Sequence, residues 1–411
     1  MQTRLADFIN HTPEGEEAER ILRRCVHCGF CNATCPTYQL LGDELDGPRG
    51  RIYLIKQMLE GQPVGAATQT HLDRCLTCRA CETTCPSGVE YGRLVEIGRA
   101  HLAKTQPLSR STPSRAMRWV LRETLPRRGL FSAALMLGRL ARPMLPRALK
   151  NKIPVAHRRG PWPAASHDKR MLVLGGCVQP SIAPGINAAT ARVLDRLGIS
   201  LIEARRAGCC GAVRAHLDDL EAARDDARRN IDAWWPWIEE GVEAIVMTAS
   251  GCGAQVRDYA HLLQHDPAYA ERAQRVVALT RDVSEVVEAA LEEAALSPGA
   301  TPRRIAFHAP CTLQHGQKIR GVVERILQRA GFALTEVRDA HLCCGSAGTY
   351  SILQPALATT LRDNKLAALS EGAPEAIATA NIGCLAHLQS GTSVPVRHWI
   401  ELLDEALAAQ S

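Results

Sequence analysis

Residues 25–36 read CVHCGFCNATCP and residues 75–86 read CLTCRACETTCP. The same phrase, C-x2-C-x2-C-x3-C-P, thus occurs twice, 50 positions apart, and takes up eight of the chain's 16 cysteines. Thiols at this density constrain the fold more than any hydrophobic pattern in the chain, because each segment must turn its cysteines towards a shared centre. A disulfide framework would suit an exported protein. The start, MQTRLADFIN, has no basic stretch leading into an apolar core, and Glu14, Glu16, Glu17 and Glu19 follow soon after. The cysteines are therefore read as thiolate ligands in a reducing compartment, and the protein is expected in the cytoplasm.

Zinc sites usually take two cysteine pairs separated by a longer stretch, whereas three cysteines in successive tight turns wrap one face of a cubane [4Fe-4S] cluster. The proline displaces the fourth cysteine, which in two-cluster ferredoxins ligates the other cluster. Carried onto this sequence, that rule gives one cluster held by Cys25, Cys28, Cys31 and Cys85, and a second held by Cys75, Cys78, Cys81 and Cys35. His27, between two ligands, is read as packing or hydrogen-bonding to a sulfur, not as a ligand. Between the phrases, Gly47-Pro48 makes a break, and Ile52, Ile55 and Leu59 then fall at helical spacing. Residues 1–105 are expected to form an all-helical, elaborated ferredoxin-type module.

The other eight cysteines form a second repeat. Cys177 precedes the Cys209-Cys210-Gly211 triplet, and Cys311 precedes Cys343-Cys344-Gly345, by the same 32 positions. Cys252 and Cys384 follow, and EAIVMTASGC matches EAIATANIGC locally. In each copy a short apolar strand (MLVLGG or RIAFH) delivers a cysteine, and a helix follows with Ile186, Val193, Leu194 and Leu197, or Val322, Val323, Ile326 and Leu327, on one face. Further strands SLIEA or ALTEV, then EAIVMTA or EAIATA, complete a β/α alternation that implies a parallel sheet, with a ligand crevice beyond the carboxyl ends of its strands. Four cysteines per copy, duplicated and placed at strand ends, point to metal or redox chemistry over mere packing.

These features carry a resemblance. The repeat is similar to the cysteine-rich CCG domain of heterodisulfide reductase subunits. A two-cluster head followed by two CCG domains resembles the iron-sulfur subunits of glycolate, lactate and anaerobic glycerol-3-phosphate dehydrogenase complexes. Within that group, CVHCGFCNATCPTYQLLGDELDGPRGRIYLIKQMLEG most resembles the glycolate oxidase (glycolate dehydrogenase) iron-sulfur subunits. The resemblance implies an α+β fold overall, with a ferredoxin-type domain at 1–105, a basic linker at 106–168, and duplicated α/β CCG domains at 169–298 and 299–411. One departure stands out: the full CCG pattern ends in C-x2-C, but the earlier position is Ala249 in one copy and Asn381 in the other. A five-thiolate cluster is thereby put in doubt, and the four cysteines of each copy could hold an ordinary cluster, another metal, or nothing.

The net charge of +6 is unevenly spread: residues 110–159 contain thirteen Arg and Lys against Glu123 alone, so this segment carries +12 and the remainder −6. Its segment RAMRWVLRETL sets Met117, Val120, Leu121 and Leu125 on one face, and GLFSAALMLGRLARPMLPRALK sets Leu130, Phe131, Ala134 and Leu135 near one side. Such helices could lie on an anionic membrane surface, pack on a sister subunit, or bridge two domains. No apolar stretch reaches the roughly 20 residues of a spanning helix. The chain lacks a dinucleotide fingerprint, a Walker loop, an HExxH helix and any flavin-binding segment, and nothing supports nucleic-acid binding.

A chain holding one-electron carriers but no hydride acceptor is expected to be a relay. The resemblance implies a flavin-containing dehydrogenase subunit as partner, glycolate oxidised to glyoxylate on it, and a quinone or other respiratory acceptor, with the complex peripheral on the cytoplasmic face of the inner membrane. The alternatives are the equivalent subunit of a lactate or glycerol-3-phosphate enzyme, or a non-redox protein whose clusters are structural.

Overall fold

The computed structural model describes residues 1–105, 110–144, 146, 153–154, 159–293 and 303–409. The sequence-based boundary at 298/299 and the first linker residue, 106, lie outside the described residues. The fold is α+β, with a helical N-terminal module followed by two small parallel sheets.

The N-terminal module is built from helices that begin where proline and glycine dictate. Pro36 opens the helix Pro36–Leu41 as its first residue, which leaves Cys35 outside as the cap. Gly47 and Pro48 likewise start Pro48–Leu59. That helix buries Ile52, Ile55 and Leu59, as its spacing predicts, against Ile21 and Leu22 of Pro13–Arg24 and Leu94 and Leu102 of Tyr91–Thr105. Its buried face also carries Arg51, which is 1% exposed.

The first sheet has the order β2-β1-β3-β4 and consists of β1 (Arg170–Val173), β2 (Ser200–Glu203), β3 (Ile245–Met247) and β4 (Thr280–Asp282). The second repeats it as β6-β5-β7-β8, from β5 (Arg304–His308), β6 (Ala333–Leu334), β7 (Ala376–Thr379) and β8 (Val396–His398). All pairings are parallel, with Leu172 opposite Ile245 and Ile305 opposite Ala376. Three strands per copy are expected from sequence and four are found. The extra strands, TRD and VRH, are three-residue edges without an apolar run, so they leave no periodic signal.

The two sheets share one core. The helix Gly185–Arg196 of the first repeat packs on Trp399–Ala408 of the second, and a single apolar cluster joins Ile186, Val193 and Leu194 to Ile305, Phe307, Trp399 and Leu403. Arg192 and Arg196 both pair with Asp404, at 2.5 and 3.1 Å. Between the strand ends, Ser250 N donates to Ala380 O at 3.1 Å, and His398 Nε2 donates to Thr248 O at 2.9 Å.

The basic segment forms the helices Thr112–Thr124 and Arg128–Ala141. Its arginines are largely engaged. Arg110 bridges Asp73 of the N-terminal module and Asp218 of the first repeat, each at 2.7 Å, Arg118 adds Asp73 at 3.0 Å, and Arg122 and Arg128 reach Asp219 and Glu203. Burial opposes the charge on Asp73, but Arg110 and Arg118 hold its carboxyl below the usual carboxylate range. Of the face expected from sequence, Leu121 is buried while Met117 and Val120 are exposed, together with Trp119, Leu137, Leu140 and Met144. Among the described residues, no helix is long and apolar enough to cross a membrane.

Candidate metal centres

Both N-terminal cysteine loops adopt the same backbone path. After the first cysteine, His27 and Thr77 take left-handed conformations with φ of 60° and 52°, and two residues later Gly29 and Arg79 do so again at 86° and 61°. This repeated reversal wraps the chain so that the three successive cysteines of each loop line one pocket. Thr77 N donates to Cys75 Sγ at 3.4 Å. Glycine takes the left-handed turn at position 29 without strain, and a Cβ there would lie 2.5 Å from the movable end of the Arg49 side chain.

The loops line two pockets. One gathers Cys25, Cys28 and Cys31 with Cys85 and Cys81, walled by Ile52, Val89 and Tyr91. The other gathers Cys75, Cys78 and Cys81 with Cys35, walled by Leu76, Pro48 and Arg51. The short helices Phe30–Ala33 and Ala80–Thr84 carry each loop's third cysteine, and the turns that end them send Cys35 and Cys85 away from their own loops. Cys28 is exposed at the surface, and Val26 and Phe30 flank it, 69% and 62% exposed. In the second pocket Cys35, Cys75 and Cys81 are buried and Cys78 is half-buried. His27 stands at the rim of the first pocket and meets Tyr53 edge-on, ring centroids 6.2 Å apart.

Electrostatics separate the two pockets. Burial pushes the Cys31 thiol up to about 11 and raises Cys25 as well. In the second pocket burial also raises Cys81 and Cys78, the latter helped by the neighbouring Cys311 thiol. Cys75 goes the other way: burial opposes it, yet the guanidinium groups of Arg51 and Arg99 and a hydrogen bond from Tyr91 bring it below the ordinary thiol value. Tyr91 Oη lies 3.5 Å from Cys75 Sγ. Arg51 is held by Asp46 at 3.3 Å, by His71 O at 2.7 Å and by Thr37 at 3.2 Å, with Nη1 3.9 Å from Cys35 Sγ. Asp46 in turn takes Arg74 at 2.8 Å and lies 3.1 Å from His71 Nδ1. Sequence reasoning missed this buried ion network. The available signal was an arginine four positions before Ile55, on the apolar face of its helix.

In each CCG repeat the strand order reverses between β1 and β3, or β5 and β7, and the cysteines collect beyond that switch point. Cys177 and Cys311 follow β1 and β5, while Cys252 and Cys384 sit in the first turns of Ser250–Arg257 and Ile382–Gln389 after β3 and β7. The paired cysteines precede glycines with φ of 90° (Gly211) and 85° (Gly345); a Cβ at Gly345 would lie 2.6 Å from Ala358 O. In the first repeat, Asn230 Nδ2 and Tyr259 Oη donate to the carbonyls of Cys209 and Cys210 at 2.8 and 2.9 Å, fixing the pair. Hydrogen bonds from Cys177 and Cys210 hold Cys209 well below the usual thiol value. In the second repeat, Cys311 and Cys343 are 3.9 Å apart at sulfur, and Asn381 Nδ2 donates to Cys384 Sγ at 3.5 Å. Ala249 and Asn381 face the junction where the two repeats meet.

The second pocket and the second repeat are neighbours. Leu76 joins Cys311, Cys343 and Tyr350 in one buried cluster, against which Cys78 packs. Among the described residues, the cysteines of the first repeat join no such cluster with the N-terminal loops.

Comparison with known proteins accords with this layout. The 4Fe-4S dicluster domain family matches residues 21–89, and the cysteine-rich domain family matches twice, at 171–257 and 305–389. The glycolate oxidase iron-sulfur subunit of Escherichia coli (strain K12) is 55% identical over 409 residues, covering 99% of both chains. The probable glycolate oxidase iron-sulfur subunit of Bacillus subtilis (strain 168) is 32% identical over 438 residues, covering 97% of this chain and 96% of that one. A crystal structure of a hypothetical protein from Helicobacter pylori has the same fold, with a TM-score of 0.53 over 97% of this chain and 73% of that one, at 10% identity.

Proposed function

The chain belongs to the family of glycolate oxidase iron-sulfur subunits, and from that premise we propose that it carries electrons released when a separate flavin-containing subunit oxidises glycolate to glyoxylate, delivering them to a quinone. Family membership makes it an electron-transfer subunit of an oxidoreductase complex that binds iron-sulfur groups.

The donor sets of the two N-terminal pockets fit such groups. Each converges thiols from both loops onto an apolar wall, and hydrogen-bond donors approach the sulfurs in the second. In this reading Cys25, Cys28, Cys31 and Cys85 hold one [4Fe-4S] cluster, and Cys75, Cys78, Cys81 and Cys35 hold the other. Bound there, the clusters supply one-electron redox chemistry. The protein's own share is to fix the thiolates and to place the positive charge of Arg51 and Arg99 beside Cys75, which favours the more negative, reduced state.

The observation that carries the reading is the line of cysteine sites. It begins at the surface with Cys28, continues inward through Cys81, which borders both pockets, and reaches the second repeat where Cys78 packs with Cys311 and Cys343. The exposed end is where an external redox partner would dock. The exposed apolar side chains Trp119, Leu137, Leu140 and Met144, in the basic segment, support contact with a sister subunit or with the cytoplasmic face of the inner membrane.

The deciding experiment is anaerobic iron and acid-labile sulfide analysis with EPR on the complex, before and after adding glycolate. Roughly eight irons per chain in the N-terminal module, with signals that develop on glycolate addition, are expected. Absence of any substrate-dependent reduction sinks the glycolate assignment, and reduction by lactate or glycerol 3-phosphate alone reassigns the donor.

A further inference from the structure

One histidine in the second repeat has no partner for a nitrogen that needs one. His308 ends β5 and is 2% exposed. Its Nδ1 lies 3.0 Å from Thr379 Oγ1, at the end of the adjacent strand β7, so the ring is held from that side. Its Nε2 is buried and makes no hydrogen bond. Buried polar atoms are nearly always satisfied, and an orphan calls for an unrecorded partner.

The environment of Nε2 supplies one. The ligand atoms of His308, Cys344 and Cys384 all lie within 4.8 Å of one another, and all three residues are buried. With Nδ1–H donating to Thr379, the lone pair of Nε2 is the one left to bind an ion. A hydrogen bond that fixes the far ring nitrogen is the usual orientation of a metal-ligating histidine. Ligands of a tetrahedral ion with bonds of about 2.0–2.3 Å stand about 3.3–3.8 Å apart. The cluster's compactness suits one ion, whereas a cubane would spread its thiolates around a larger body.

We propose that the second repeat binds a mononuclear divalent cation of the zinc class through His308 Nε2, Cys344 Sγ and Cys384 Sγ. The histidine makes up for the cysteine that the CCG pattern lacks at Asn381, whose side chain instead donates to Cys384. Three protein ligands leave one position of the tetrahedron for water or a neighbouring thiol. The first repeat is different: each of its CCG cysteines up to the pair precedes its counterpart by 134 positions, and that offset places Leu174 opposite His308. Leucine cannot ligate, and among the described residues no such ligand group forms in the first repeat. The duplication has therefore produced one N/S ligand group, in the second repeat, while the first repeat keeps cysteines alone. This assignment goes beyond the electron-transfer reading and stands independently of the electron donor.

The test is elemental analysis of the full chain, purified anaerobically and supplied with Zn²⁺ or Co²⁺. One zinc per chain is expected in addition to iron, and Co²⁺ in its place should give thiolate charge-transfer absorption. His308→Ala and Cys384→Ser should each drop zinc below about a tenth of the wild-type content while the iron and sulfide of the N-terminal module persist as the folding control. His308→Cys should keep the zinc and intensify the cobalt charge-transfer band, because a third thiolate replaces imidazole. Full zinc in His308→Ala overturns the proposal, and so does loss of iron and sulfide, not zinc, from the second repeat. Where His308→Ala fails to fold, X-ray absorption at the zinc edge of the unaltered protein decides: an imidazole with sulfur neighbours supports the site, and an all-sulfur shell overturns it.

Discussion

Thr83 Oγ1 stands 3.0 Å from His315 Nδ1, fastening the second cysteine loop to the second CCG repeat across 232 positions of sequence. Beside this contact Leu76, 4% exposed, fills the apolar seam shared with Cys311 and Tyr350. Leu76→Ala should cost about 2–5 kcal/mol through the cavity it leaves, and Thr83→Val about 1 kcal/mol. Thermal unfolding reads both effects, and an unchanged midpoint in Leu76→Ala would show that the seam contributes nothing.

The crossing of Cys35 and Cys85 has its own signature. Each of Cys28→Ser, Cys85→Ser, Cys78→Ser and Cys35→Ser should lose about half the iron of the N-terminal module. The spectrum of Cys85→Ser should match that of Cys28→Ser, and Cys35→Ser should match Cys78→Ser. A Cys85→Ser spectrum like that of Cys78→Ser would reverse the assignment.

Arg51 bears on redox potential as well as stability. Its guanidinium lies 3.9 Å from Cys35 Sγ and lowers the Cys75 thiol. Arg51→Met should shift the reduction potential of the second cluster downward, because a positive charge that favours the reduced state is gone, while the first cluster stays put. Arg51→Lys keeps the charge but not the fork, and should shift it less. The loss of the Asp46 partner should cost about 3–5 kcal/mol in Arg51→Met. EPR-monitored potentiometry checks the ordering, and equal potentials in all three proteins would refute the electrostatic role.

His398 makes stability depend on pH. It is fully buried at the junction of the repeats, donates to Thr248 O, and accepts from Ile400 N at 3.3 Å, so it is neutral. Burial lowers its pKa to about 3, below the roughly 6.5 of an unfolded histidine. A depressed folded value means that its contribution is complete above about pH 6.5 and is lost as pH falls towards 3, at about 1.4 kcal/mol per unit. Between pH 6.5 and 5 the wild type should therefore lose about 2 kcal/mol more than His398→Gln. Parallel unfolding curves for the two proteins over that range would contradict it.

The sequence by itself determined the α+β class, the duplication, and the two cysteine phrases as loops that turn three thiols to one centre. These features are local: a proline at a helix start, left-handed turns between cysteines and apolar strands all act over a few residues, so spacing records them. It also exposed the departures at Ala249 and Asn381, because the CCG pattern that the repeat resembles has a cysteine at that position. The two copies set against each other differ at His308, whose counterpart is Leu174.

Only the tertiary structure decided the rest. The edge strands β4 and β8 are too short and too polar to announce themselves, and exist because a neighbouring strand offers them hydrogen bonds. The basic segment, for which a membrane surface, a sister subunit and a bridge between two domains are all open in the sequence, pairs with Asp73, Asp218, Asp219 and Glu203, acids from two other parts of the chain. The contact of Cys78 with Cys311, the shared core of the two repeats, and the orphaned Nε2 of His308 join residues far apart in sequence. Packing partners of that kind follow no period, since what selects them is the shape and charge left over once the local elements have formed.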